Sequence, residues 1–242
     1  MANLTRELMI DLVPNYPPIE IVRPIQAAQA VHQGNWLTID TSYHVGTWTA
    51  GERTVGLCKQ SVDNTAGAAA AKGRDVKLIV GGAIRWYIAN ATEADIGKAV
   101  FNITDNQTLS LTPRAGGYIG RIVDVVSGLC TILIDTQKLG REQWESWFDL
   151  ADDATVNLPD ATAAMVTVAC GAEFIYANVG ADGAVTLAGY GESDVGCISA
   201  NGSITDVDAK LCLFDGGTAA TIKNRLAATK RVFVRYFGLP TA

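Results

Sequence analysis

Tyr118-Ile119-Gly120-Arg121-Ile122-Val123-Asp124-Val125-Val126-Ser127-Gly128-Leu129-Cys130-Thr131-Ile132-Leu133-Ile134 decides the fold class of this chain. It holds two runs rich in Ile and Val, Tyr118–Val126 and 130–134, separated by a glycine-containing break. β-Branched runs bounded by such breaks read as strands. The pattern repeats upstream at 36–40, 54–58, 76–80, 84–88 and Ala99–Asn102. It returns downstream at 164–169, 174–177, 185–188, 195–199, 210–214 and 231–237. The turns Ala181-Asp182-Gly183 and Ala200-Asn201-Gly202 fall between strands, where Asp-Gly and Asn-Gly supply the positive φ of hairpins. Spacing of this kind predicts an all-β barrel or sandwich.

One or two short helices interrupt that expectation. Over 138–153, Trp144, Trp147 and Phe148 stand at i, i+3 and i+4 with charges opposite, a helical pattern. Over 218–228, Ile222 and Leu226 form an apolar side with Lys223 and Arg225 outward. The alanines 68–71 leave 63–72 as a short helix or a packed loop. Leu158-Pro159-Asp160 punctuates the chain. The expected organisation is an extended arm over 1–26, a β domain over 27–135, a helical linker over 136–160 and a second β domain over 161–242.

Composition excludes several classes. Among 242 residues, 48% are apolar, 18% are charged and 24 are glycine, the balance of a folded protein built from short strands and tight turns. A net charge of −6 argues against a surface that neutralises nucleic-acid phosphates. The charge is uneven. From Lys210 onward, six basic residues oppose one acid, Asp215, a balance of +5 that leaves −11 for residues 1 to 209. Lys223, Arg225, Lys230, Arg231 and Arg235 are therefore either a solvated face or a basic docking face for an acidic partner. No membrane segment is expected, because Gly171, Glu173 and Asn178 interrupt the apolar stretch 161–181. The first residues, MANLTRELMIDLVP, lack the apolar core and cleavage site of a signal peptide. Cys58, Cys130, Cys170, Cys197 and Cys212 are odd in number and form no C-x-x-C, so they read as small buried hydrophobes of a protein made in a reducing cytoplasm. Asparagine sequons at Asn3, Asn90, Asn102, Asn106 and Asn201 read as turn residues.

Motifs for catalysis are missing. His32 and His44 stand in no metal-ligand spacing. There is no Gly-x-Ser-x-Gly, and Gly67 with Lys72-Gly73-Arg74 lacks the Gly-Lys-Ser/Thr order of a phosphate loop. The acids Asp149, Asp152, Asp153, Glu192 and Asp194 cluster in expected loops, and Asp206-Val207-Asp208 completes no calcium motif. The expectation is a non-enzymatic protein with no cofactor and no metal.

The first 26 residues differ from the rest. Pro14, Pro17, Pro18 and Pro24 alternate with Tyr16, Ile19, Ile21 and Val22. Proline fixes φ and removes a backbone donor, so this arm should be extended and stay out of a central strand position. Pro14, Tyr16, Pro17, Pro18, Ile19, Ile21 and Val22 are the candidate partner-binding residues, lying either on their own domain or over a neighbouring subunit.

Three further stretches carry a resemblance. They are Ala94-Asp95-Ile96-Gly97-Lys98-Ala99-Val100-Phe101, Asp105-Asn106-Gln107-Thr108-Leu109-Ser110-Leu111-Thr112 and Tyr118-Ile119-Gly120-Arg121-Ile122-Val123. With 34–40 and Thr54-Val55-Gly56-Leu57-Cys58 upstream, residues 27–135 resemble the capsid cement, or head decoration, proteins of tailed bacteriophages. That resemblance implies a small β-barrel or β-tulip-like domain, with a β-sandwich-like domain expected after it. It also implies a homotrimer on the outer capsid surface of the virion that reinforces contacts between major capsid protein subunits. No catalytic residues come with it, and neither nucleic acid nor membrane is an expected partner. The alternative is a host-receptor or carbohydrate-binding module with Trp48, Trp86 or Tyr190 as platforms.

Overall fold

A computed structural model describes residues 9–49, 52–69, 74–102, 105–114, 116–136, 143–159, 163–171, 173–180, 185–190, 196–198, 211–217 and 219–238. Strands make up 58% of the structure, and among the described residues no helix reaches seven residues. The fold is all-β. It divides into two units: 1–112 with 116–139, and 113–115 with 140–242.

The first unit contains β1 (Asp11–Leu12), β2 (Ile19–Pro24), β3 (Gln29–Val31), β4 (Trp36–Ile39), β5 (Val45–Gly46) and β6 (Arg53–Cys58). It continues with β7 (Val62–Asn64), β8 (Asp75–Tyr87), β9 (Ala99–Asn102), β10 (Leu109–Ser110), β11 (Tyr118–Val126) and β12 (Leu129–Asp135). Residues 76–80 and 84–88, expected as two strands, lie mostly within the single strand β8, which runs through Gly81 and Gly82. This strand is the spine of a curled sheet ordered β10-β9-β11-β12-β8-β6-β4-β5. One edge of β8 pairs first with β6 (Cys58↔Leu78) and then with β12 (Ile132↔Ile84). The same two residues pair on the other edge with Ile21 of β2 and Leu12 of β1.

Each face of this sheet carries a buried cluster. Trp36, Leu57, Ile79, Ile84, Val100, Ile119, Ile122 and Ile132 belong to one buried cluster. Ile25, Leu37, Val45, Val55, Val76, Leu78 and Val80 belong to another. Neighbours in sequence, Trp36 and Leu37 or Leu78 and Ile79, fall into different clusters, as a two-residue period requires when both faces are buried. The cysteine expectation holds for Cys58, Cys130 and Cys212, which are buried, whereas Cys170 is half-buried.

The second unit contains β13 (Gln143–Leu150), β14 (Thr155–Asn157), β15 (Ala164–Cys170), β16 (Glu173–Val179), β17 (Val185–Tyr190), β18 (Gly196–Ile198), β19 (Leu211–Asp215), β20 (Ala220–Asn224) and β21 (Lys230–Gly238). They form two sheets, β13-β21-β15-β16-β17 and β14-β20-β19-β18. The sheets meet where β16 approaches β18 and β17 approaches β19. Trp144 of β13 and Tyr236 of β21, both buried, stack with centroids 5.2 Å apart and planes 7° from parallel. Ala164, Val166, Val168, Ile175, Ala177, Val232 and Val234 share that buried face.

Both helix expectations are corrected. Residues 143–150 are strand β13, and 220–224 within the second segment are strand β20. The spacing of Trp144, Trp147 and Phe148 fits a helix, but the same octet also alternates Trp144, Ser146 and Leu150 inward with Glu145, Trp147 and Asp149 outward. Aromatic residues favour strands, and eight paired positions on β21 settle the choice. β20 is likewise held on both edges, by β14 and β19. In 63–72, Asp63 and Asn64 end strand β7, and 70–73 lie outside the described residues. The expected helical linker over 136–160 therefore gives way to β13 and β14, strands of the second unit, which starts near residue 140 instead of 161. The turns at 181–183 and 200–202 lie outside the described residues.

Candidate interaction surfaces

The arm lies on its own unit. Ile19–Pro24 pairs along β8 from Gly81 to Asp75, and Ile25 is fully buried. Among the described residues β2 pairs on one side only, so Pro24 sits on an outer strand, where a missing N–H costs no ladder bond. Ile21 packs against the second cluster. Three of the candidate contact residues of the arm face outward: Tyr16 is 44% exposed, Ile19 53% and Val22 52%. Pro14 and Pro17 are exposed, and Pro18 is half-buried. Ion pairs flank this strip, Asp11 to Arg85 at 3.5 Å and Glu20 to Lys59.

The basic residues near the C-terminus are matched by acids. Arg231 makes a bidentate contact with Asp149, at 2.8 Å from Nε and 2.9 Å from Nη2. Arg235 Nε stands 2.6 Å from Glu145. Arg225 reaches Asp153 at 2.5 Å, with Lys223 3.6 Å from the same oxygen. The Arg225 hydrogen bond holds the Asp153 carboxyl below the usual carboxylate range. Asp149 also raises the already high pKa of Arg231 through its hydrogen bonds. The acids that cancel this charge were legible in the sequence, but their pairing was not. Asp149 opposes Arg231 and Glu145 opposes Arg235 only through the β13–β21 register. Lys230 is half-buried opposite Leu150.

That register creates a surface that sequence reading missed. Trp147, Phe233, Ala169 and Phe174 are successive cross-strand partners on β13, β21, β15 and β16, forming one row on one face. Phe233 is 50% exposed and Phe174 47%. Trp147 and Phe233 lie 6.1 Å apart, and the Arg231 guanidinium covers Trp147 at 5.9 Å from the ring centroid, within cation–π range. The signal was the alternation Glu145, Trp147, Asp149, hidden beneath the helix-like spacing.

Among the described residues no group of three His, Cys, Asp or Glu side chains could hold a metal ion. His44 belongs to a turn in which Asp40 accepts the backbone N–H of Ser42 and of His44 at 2.8 and 2.9 Å. Asp152 accepts the Ala227 N–H at 3.2 Å. Glu192, Asp194, Asp206 and Asp208 lie outside the described residues. Asn102 and Asn106 are buried, which closes those two sequons to modification. As platforms for sugars the expected tryptophans are poorly placed: Trp86 packs 6.0 Å from Trp36 and donates its indole N–H to the Gln107 carbonyl at 3.2 Å. Trp48 is half-buried, and the Tyr190 side chain lies outside the described residues. No helix of the described residues is long and apolar enough to cross a membrane. No protein-family model matches this chain, and comparison with curated proteins and with solved structures returns no match.

Proposed function

We propose that this protein is a virion structural protein that decorates and stabilises a phage capsid, binding the major capsid protein lattice and copies of itself. The observation that carries the reading is the exposed apolar strip of Tyr16, just before the outer strand of the first unit, and Ile19 and Val22 on it. Pro17, Pro18 and Pro24 cannot donate a backbone hydrogen bond, so a partner strand cannot pair evenly along this edge. Contact then falls to side chains, whose burial removes apolar area from water. A repeated contact of this size gains strength from the number of copies on a lattice, without any one contact being tight.

Deleting the arm is a poor test, because it would strip β2 from β8 and expose Leu78 and Val76. Charging the outward positions leaves the pairing intact. The double variant Ile19→Glu/Val22→Glu should fold as the wild type does and lose at least about tenfold in capsid occupancy, equivalent to about 1.4 kcal/mol. Occupancy is read by co-sedimentation with capsids of the same phage. Unchanged occupancy by a folded variant would sink the proposal.

A further inference from the structure

We infer that the outer face of β13 and β21 is a two-fold contact between copies of this chain, with charge as well as shape complementary to itself. On that face β13 presents Glu145, Trp147 and Asp149, while β21 presents Arg235, Phe233 and Arg231 directly opposite them. One strand is acidic and its neighbour basic, at matched heights. Consider a two-fold axis parallel to the strands and midway between them. Rotation about it keeps each residue at its height and exchanges the two strands. The acidic strand of one copy then lies over the basic strand of the other. Glu145 faces Arg235 of the second copy, Asp149 faces Arg231, and Trp147 faces Phe233, each contact made twice, as an isologous interface demands.

Within a chain, Glu145–Arg235 and Asp149–Arg231 are already ion pairs. Stacking two copies turns each pair into a four-charge square of alternating sign, with the aromatic row between the two squares. The rival arrangement, with the axis in the plane but across the strands, sets β13 over β13. It opposes Glu145 to Asp149 and Arg231 to Arg235, so like charges select the first arrangement. Among the described residues β13 pairs on one side only, and strand addition to its other edge is disfavoured on similar grounds, since antiparallel pairing centred on Trp147 brings the same two acids together.

Two strands of eight residues facing two others cover on the order of 250 Å² per copy, at about 4.8 Å between strands and 3.3 Å per residue. That is below the roughly 1,000 Å² total of an independently stable interface. The contact is therefore weak in dilute solution and fills at high local concentration.

The inference does not rest on the capsid reading, and self-association is measured without capsids. Two variants are compared with the wild type by sedimentation equilibrium from dilute solution up to about 1 mM protein, the local concentration that tethering typically imposes. One is Arg231→Asp/Arg235→Glu, acidic on both strands; the other is Glu145→Arg/Asp149→Arg, basic on both. The average mass of the wild type should roughly double across this range, while each variant alone holds its dilute value. An equimolar mixture should regain the doubling, since each acidic strand then meets a basic one. Phe233→Ser, at a half-exposed position, serves as a third variant that keeps the charges and should weaken association. A wild-type mass independent of concentration overturns the inference. So do charge variants that associate like the wild type, or a mixture of folded variants that stays at the dilute mass. Loss of capsid occupancy by these variants with no change in self-association would assign the face to the capsid protein instead, and equally overturns it.

Discussion

Gly82 is packed against Pro17 so closely that a β-carbon on Gly82 would stand 2.8 Å from the Pro17 carbonyl oxygen and 2.9 Å from Pro18 Cα. The arm can lie along β8 because the spine strand carries no side chain at that point. Gly82 also has φ +95°, a conformation that a residue with a β-carbon rarely adopts.

Gly82→Ala should therefore destabilise the first unit by about 2–4 kcal/mol, combining backbone strain with overpacking. Gly171→Ala is the control. It has φ +64° but nothing within 4 Å of the added carbon, so only strain, about 1 kcal/mol, is expected. Urea titration of both variants checks the contrast, and equal costs would show that the arm does not press on Gly82.

Asn224 should be among the least replaceable polar residues of the second unit. It is fully buried. Its side-chain amide donates to the carbonyls of Leu150 at 2.8 Å, Ala151 at 3.1 Å and Ala228 at 2.8 Å, while its Oδ1 accepts the Leu226 N–H at 3.0 Å. Asn224→Ala empties a fully buried polar position and takes a donor from the carbonyl of buried Leu150 and from part-buried groups beside it, at about 1–3 kcal/mol each where water cannot replace the amide. A total loss of about 3 kcal/mol or more is expected by denaturant titration.

Trp144→Ala should cost about 3–5 kcal/mol, since a fully packed ring is removed from between Tyr236 and the rest of the inner face. Trp147→Ala, on the outer face, should cost less than half as much. A helix over this segment would have turned both rings the same way and made the two costs similar, so the pair of measurements tests the strand directly.

Asp95 should carry part of the acid sensitivity of the first unit. Burial pushes its carboxyl upward, but hydrogen bonds from the Lys98 ammonium at 2.9 Å and the Thr92 backbone N–H at 2.8 Å outweigh this and hold it below the usual carboxylate range. A depressed folded pKa means that the stabilisation is present above the unfolded value of about 3.9 and is lost as pH falls through the folded value. The urea midpoint of the wild type should thus fall more steeply below about pH 4 than that of Asp95→Asn. Parallel curves for the two proteins would remove Asp95 from the account.

Sequence alone was enough for the all-β class and for many strand positions. Runs such as Tyr118–Val126 and Ala99–Asn102 coincide with β11 and β9 because β-branched residues between glycine and polar breaks have few other stable conformations. It also identified the arm as extended and its apolar residues as candidates for contact, since proline chemistry is local. Tertiary structure decided everything that depends on a distant partner. Trp144, Trp147 and Phe148 satisfy two periodicities, and only β21, more than eighty residues away in sequence, selects the strand. The basic C-terminal stretch read as either a solvated or a docking face because charge was summed along the chain. Register across strands sets Arg231 against Asp149 and Arg235 against Glu145, and so turns a positive stretch into a pattern of alternating charge around Trp147 and Phe233. Local propensity acts over a few bonds, whereas pairing and charge complementarity act through space; the first can be read in order along the chain, and the second exists only once the sheet has closed.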